Sequence, residues 1–325
     1  MTNMVRKSIY LLTVLSVIIS CRKELDYNST NQLIEISLNT PNLNSLWGDE
    51  WQNQLLVEWN NTLYEDIYQL PEAHILISIF KPTVNGFNYS HSQCHPLGLS
   101  PLHIAQGTYR FILHTTESKV ITLKNQQNGD IVATTRKLSD SIYSSPDNLF
   151  IGSKDNVNIH NNHTLLDFNN GEWTDIIKIP IETCIKQYII QIITRQTKYN
   201  CTTIRGVYLG GMHNELNLHS KEMSGNSYLK NNKENLHRIN DTLTICRIGT
   251  FGIADNINKV LIDYYLGQGR SALITKDIST CIKREPNSGI ITIIVDLDKE
   301  SGKNNEGGFT PELEEWISNS VVVPM

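Results

Sequence analysis

Cysteine is sparse in this sequence, six residues in 325, and no two of them have CxxC spacing. Neither a thiolate metal cluster nor a dense disulfide framework can be the basis of its fold. Positive charge is also short: 28 Lys and Arg stand against 33 Asp and Glu, a net charge of -5, and no basic stripe offers a surface to nucleic acid. Catalytic signatures are missing, with no G-x-S-x-G elbow, H-E-x-x-H, P-loop or G-x-G-x-x-G. Ala is scarce while Asn, Ile and Thr are plentiful. β-Branched side chains suit a pleated surface and Asn suits turns, so the composition favours strands over helices.

The N-terminus carries what hydrophobic run there is. Arg6 and Lys7 precede an apolar stretch from Ile9 to Ile19, closed by Ser20-Cys21. About a dozen residues is short of the roughly 20 that span a bilayer, so the run reads as a cleaved export signal. Aliphatic residues followed by a small residue and Cys form a lipobox, as in bacterial lipoprotein signals. Residues 1–20 are then the signal peptide, Cys21 the lipidated N-terminus and 21–31 a polar tether. Several acyl chains on Cys21 would give stable membrane anchoring, since two already suffice. The remaining length exceeds one usual core, which predicts two domains, 32–165 and 166–325.

Strand patterns recur along the chain. Leu33–Leu38 alternates, and Leu55–Trp59 is a short apolar run. His74–Lys81 is apolar on both faces and ends at Pro82, and Gly107–Thr115 sets Tyr109, Phe111 and Leu113 against Arg110, Ile112 and His114. Val120–Leu123 and Asp130–Thr134, joined through Asn128-Gly129, have the composition of a hairpin. Tyr143–Gly152 breaks the pattern and opens a polar link to Asn162. Lys186–Thr194, Ile204–Leu209, Leu243–Phe251, Lys259–Tyr265 and Gly289–Leu297 repeat the style, and Lys276–Lys283 is a short helix candidate. Asn214–Asn240 reads as a solvent loop. Short strands between Gly, Asn and Pro turns, twice over, predict an all-β chain of two antiparallel β-sandwiches.

Candidate chemistry is thin. His91, Cys94, His95 and nearby His103 could ligate a metal, but Ser90, Pro96, Gly98 and Pro101 make the segment a polar loop, so no metal site is expected. His160 and His163 sit in a similar Asn-rich link. The carboxylates at Glu314-Glu315 and Asp296–Asp298 are solvated turn neighbours, not a glycosidase pair. Cys94, Cys184, Cys201, Cys246 and Cys281 are either small buried side chains or include a disulfide such as Cys184–Cys201 with a free thiol. Of the five Trp residues, Trp47 and Trp51 lie beside Asp49 and Glu50 in a loop, where a ring face could stack on a sugar.

The most specific stretch is C-terminal: Ile290–Leu297, then Glu306-Gly307-Gly308-Phe309-Thr310-Pro311 leading to Trp316, and Val321-Val322-Val323-Pro324-Met325. With the run ending in Trp59, Leu70-Pro71, Gly107-Thr108-Tyr109 and Ser145-Pro146-Asp147, it resembles a family of Bacteroidales lipoproteins similar to FimB-type minor fimbrial anchor subunits. The family's Asp before the first Trp is here Glu58. The resemblance implies two transthyretin-like sandwiches, an outer-membrane, lipid-anchored position at the cell surface, and a role in fimbria assembly or anchoring. It implies no catalysis and no cofactor. Partners would be other fimbrial subunits joined by strand addition, with Ser320, Val321, Val322 and Val323 as the candidate contact strand. Lineage adds two candidate O-glycosylation sites, Ser141 in Asp140-Ser141-Ile142 and Thr242 in Asp241-Thr242-Leu243. The alternative reading is a surface glycan-binding lipoprotein that uses Trp47 and Trp51.

Overall fold

A computed structural model describes residues 32–39, 54–56, 74–95, 100–116, 118–127, 129–159, 176–196 and 202–300. Most of them lie in five sheets. The centre of the first half is a five-stranded sheet in the order β12 (Glu182–Thr183), β10 (Phe150–Ile159), β5 (Gly107–Thr115), β2 (Ile75–Thr83), β3 (Gly86–His95). On one side lies a three-stranded sheet in which β1 (Gln32–Asn39) runs between β4 (Ser100–Ile104) and β11 (Ile176–Pro180). On the other lies β16 (Met223–Ser224), β15 (Glu215–Asn217), β7 (Val132–Thr135) and β6 (Ile121–Lys124).

The middle sheet is therefore buried on both faces. Ile75, Ile77, Ile79, Tyr109, Phe111 and Leu113 pack with Ile104 and Ile179 of the three-stranded layer. Phe80, Ile112 and Ile151 pack the opposite way, against Ala133 and Leu216. A strand with two buried faces reads as a continuous apolar run, which explains Ile75–Phe80. Each such side chain contributes about 1.5–3 kcal/mol on burial. Pro82 does not end β2. The strand runs on to Thr83, but past Phe80 it pairs only with β3, and a residue without an N–H is tolerated where one edge is unpaired.

A β-bulge sets the phase of β10. Lys154 pairs with Phe111 and Val157 with Tyr109, so three steps on β10 match two on β5. The extra residue puts Asn156 at φ 53° and brings Val157 and Ile159 onto the face already occupied by Phe150. Asp155, lifted out at the bulge, takes Arg110 Nε at 2.6 Å and Nη2 at 2.8 Å. That guanidinium also lies 3.6 Å over the Phe87 ring.

The second half is a sandwich of two sheets. One runs β18 (Leu236–Arg238), β19 (Leu243–Thr250), β13 (Lys186–Arg195), β22 (Gly289–Asp296). The other runs β21 (Arg270–Asp277), β20 (Lys259–Gly267), β14 (Thr203–Met212), β17 (Ser227–Lys230), β9 (Ile142–Ser144), β8 (Lys137–Ser139). Tyr188, Ile190, Ile192, Cys246 and Ile293 of the first meet Val207, Leu209, Val260 and Ile262 of the second in one core. Helix α1 (Ser279–Arg284) adds Ile282, and α2 (Leu297–Glu300) follows β22.

Pairing runs across residue 165 in both directions. β7 bonds β15 and β9 bonds β17, while β11 and β12 bond β1 and β10. Ser145 Oγ accepts the Gly249 N–H at 2.8 Å and so joins the two halves. Four expectations need correction. The segment Tyr143–Asn162 contains strand β10, ten residues from Phe150 to Ile159, and Asn214–Asn240 is not a solvent loop, since it supplies β15 to β18 with Leu216, Leu218 and Leu229 buried. The residues from Ser90 to His95 belong to strand β3. The sheets are also not purely antiparallel: β1–β11, β9–β17 and β13–β22 pair in parallel. Parallel neighbours need connections of a dozen residues or more, so nearby turn signals carry no trace of them.

Candidate docking edge of the second sandwich

Six of the eight residues in Gly289-Ile-Ile-Thr-Ile-Ile-Val-Asp296 are β-branched, and the strand they form is β22. Gly289 enters it beside Glu285, whose carboxylate would meet a Cβ there. The strand pairs with β13 from Tyr188↔Gly289 to Arg195↔Asp296, and its other edge has no strand partner among the described residues. Ile291, Ile293 and Val295 point into the core. Thr292 and Ile294 point outward, and Ile294 is 44% exposed, a large aliphatic side chain in water.

The outward face around it is organised by Gln191. Its Oε1 accepts the Leu56 N–H at 2.8 Å, and its Nε2 donates to the Gln54 carbonyl at 3.0 Å and to Thr292 Oγ1 at 3.1 Å. A fully buried side-chain amide thus brackets a backbone segment as a neighbouring strand would. At the far end of β22, Lys299 bonds Asp296 at 2.8 Å and holds its carboxyl below the usual carboxylate range.

Several other edges are short or polar. β3 has a bulge opposite Ile79 and Phe80, and its sequence, GFNYSHSQCH, is polar. β18 has three residues and β16 two. Native sheets protect long apolar edges by covering, charging or pairing them; β21, also eight residues long, carries Arg270, Lys276 and Asp277, whereas β22 is a long apolar edge with no strand partner among the described residues. Eight residues give about 26 Å of ladder at ~3.3 Å each.

Of the residues expected to matter, Cys21, Trp47, Trp51, Ser320, Val321, Val322, Val323, His160 and His163 lie outside the described residues. Ser141 sits half-buried in the turn between β8 and β9, where its carbonyl accepts the Tyr228 N–H at 2.9 Å. Thr242 is exposed in the turn before β19 and donates from Oγ1 to Asn240 Oδ1 at 3.0 Å. His91 bonds Ser90 Oγ and Gln93 Nε2, burial lowers its pKa, and His103 belongs to another sheet. Among the described residues no group of His, Cys, Asp or Glu could hold a metal ion.

Cys94, Cys184 and Cys246 carry free thiols, and Cys201, the partner suggested for Cys184, lies outside the described residues. Cys184 Sγ donates to the Leu149 carbonyl at 3.3 Å, and burial pushes the thiols of Cys184 and Cys246 well up. Sequence reasoning missed the free edge because openness is a property of the assembled sheet. The run of β-branched residues from Ile290 to Val295 was the available signal, and it marks the strand without marking its edge.

No protein-family model matches the chain. No curated protein matches it either. Among solved structures, it is similar to a candidate adhesin of Bacteroides ovatus, at TM-score 0.54 and 12% identity over 85% of this chain and 96% of the other. It is also similar to a candidate polysaccharide-binding protein of Bacteroides thetaiotaomicron, at TM-score 0.51 and 10% identity over 83% and 93%. A weaker likeness is to the fimbrial anchor protein Mfa2 of Porphyromonas gingivalis, at TM-score 0.45 and 9% identity over 81% and 90%. The chain therefore has the all-β fold of the Bacteroides ovatus and Bacteroides thetaiotaomicron proteins, along nearly the whole length of each.

Proposed function

We propose that this is a non-enzymatic, lipid-anchored protein of the cell surface that anchors or accompanies a fimbria, and that a partner subunit adds a strand to β22. The observation that carries the proposal is the apolar edge of β22, which has no strand partner among the described residues, with Ile294 beside it. The fold shared with an adhesin candidate and the lipobox at Cys21 support it. Main-chain hydrogen bonds would supply affinity and alternate side chains the selectivity. Ser320–Val323 is the candidate contact strand on this chain's own side, and the two halves of the fold correspond in this reading to transthyretin-like domains.

The test is a pull-down of the lipidated protein from its native outer membrane, with mass spectrometry of the recovered material. Wild-type protein should bring fimbrial subunits, and Ile294→Lys, a charge at the edge, should fold normally and lose them. Subunits recovered equally with Ile294→Lys would sink the edge assignment. Removal of 318–325 should leave a folded protein that no longer joins fimbriae; an unfolded second sandwich would make Ser320–Val323 an ordinary closing strand. The intact mass of the same sample reports acyl chains on Cys21 and hexoses on Ser141 or Thr242, and a mass without either removes both assignments.

A second reading, a surface glycan binder using Trp47 and Trp51, draws on the likeness to the polysaccharide-binding candidate. It predicts Trp fluorescence quenching by glycans that is lost in Trp47→Ala or Trp51→Ala. Signal unchanged by either substitution would dispose of it.

A further inference from the structure

We propose that the cleft at one end of the second sandwich binds a single uncharged sugar ring. Its volume is about 160 Å³. For scale, a cavity of about 150 Å³ lined by apolar side chains is enough for a six-membered carbon ring. Here the lining is different in kind. Thr202, Thr203 and Thr244 offer hydroxyls, and the buried floor is the Thr194 Oγ1–Tyr264 Oη hydrogen bond of 2.9 Å. Leu236 and Ile204 supply apolar wall. A pyranose has the same mixture, hydroxyls that donate and accept around its rim and C–H faces above and below.

Charge decides against ionic ligands. Arg238 and Asp241 stand together at the opening, 3.0 Å apart, so cation and anion cancel. Both remain able to bond a neutral hydroxyl. The described bonds of Arg238 use two of its five N–H donors, one to Asp241 and one to the Asn240 carbonyl. The position also has a structural logic. Thr194 and Thr244 come from one sheet, Thr203 and Tyr264 from the other, so the cleft opens where the two layers of the core end. None of the lining residues belongs to β22, and the inference stands apart from strand addition.

The experiment is saturation-transfer NMR on the mature full-length chain with D-glucose, D-galactose, D-mannose and N-acetyl-D-glucosamine as free sugars at millimolar concentration. At least one should receive saturation. Arg238→Ala, at an exposed position, should weaken that binding by about tenfold or more, the loss of a charged donor. Leu236→Trp, which fills the cleft, should abolish it, while Ile294→Lys should leave it unchanged. No transfer to any of the four sugars, or transfer equal in wild type and Arg238→Ala, overturns the proposal. The Arg238 variant keeps the test decisive even where Leu236→Trp fails to fold.

Discussion

At His114 the middle sheet holds an imidazole almost fully out of water. Nδ1 donates to the Thr115 carbonyl at 2.9 Å, while Nε2 is buried without a hydrogen-bond partner. Burial holds the pKa below the ordinary value of 6.5, outweighing the opposite pull of the Thr115 bond. The folded state then binds fewer protons than the unfolded chain once pH falls below about 6.5, so stability falls with pH there. One group of this kind contributes up to about 1.4 kcal/mol per pH unit between its unfolded and folded pKa. Urea midpoints at pH 7.5 and pH 5.5 should therefore lie further apart for wild type than for His114→Leu. Equal separation in both proteins would show that another group carries the pH dependence.

Elements show where sequence reading succeeds and where it stops. Gly107–Thr115 and Lys186–Thr194 were legible because alternating or doubly buried β-branched residues impose a side-chain pattern, and β5 and β13 fall there. β3 was not legible, because an edge strand bonded to β2 through its backbone can carry Asn, Ser and His in its side chains. The same holds for β15 to β18 within Asn214–Asn240, each four residues or fewer. The bulge in β10 was equally silent, although Asn156 is its chemical requirement. Asn tolerates the left-handed region and β-branched residues do not. Asn156→Ile should destabilise by roughly 1–2 kcal/mol in urea unfolding, and Asn156→Gly by much less. Identical losses for the two would mean that φ at this position is not what the bulge depends on.

For the whole molecule, the crossing of strands between halves is the main architectural fact. Strands β7 and β9 pair with the later half, and β11 and β12 pair with the earlier one. Ile185 and Phe251, which flank strands of the second sandwich, pack in the core of the first. A fragment of 166–325 would leave β17 without β9 and β15 without β7, exposing Leu216 and Leu218, whose core partners include Phe80, Ile112 and Ala133. Such a fragment should show no cooperative thermal transition, whereas 32–325 should melt as one unit. A fragment that melts sharply near the temperature of the longer chain would contradict this.

The place of β1 has a mechanical meaning. It lies inside its sheet, with five residue pairs to β11 on one side and five to β4 on the other, and its N-terminal end is the first described point of the chain. Tension entering from a tether before Gln32 and directed along β1 would not peel its hydrogen bonds one after another. Both ladders would be sheared at once, so the bonds share the force and rupture requires them to fail together.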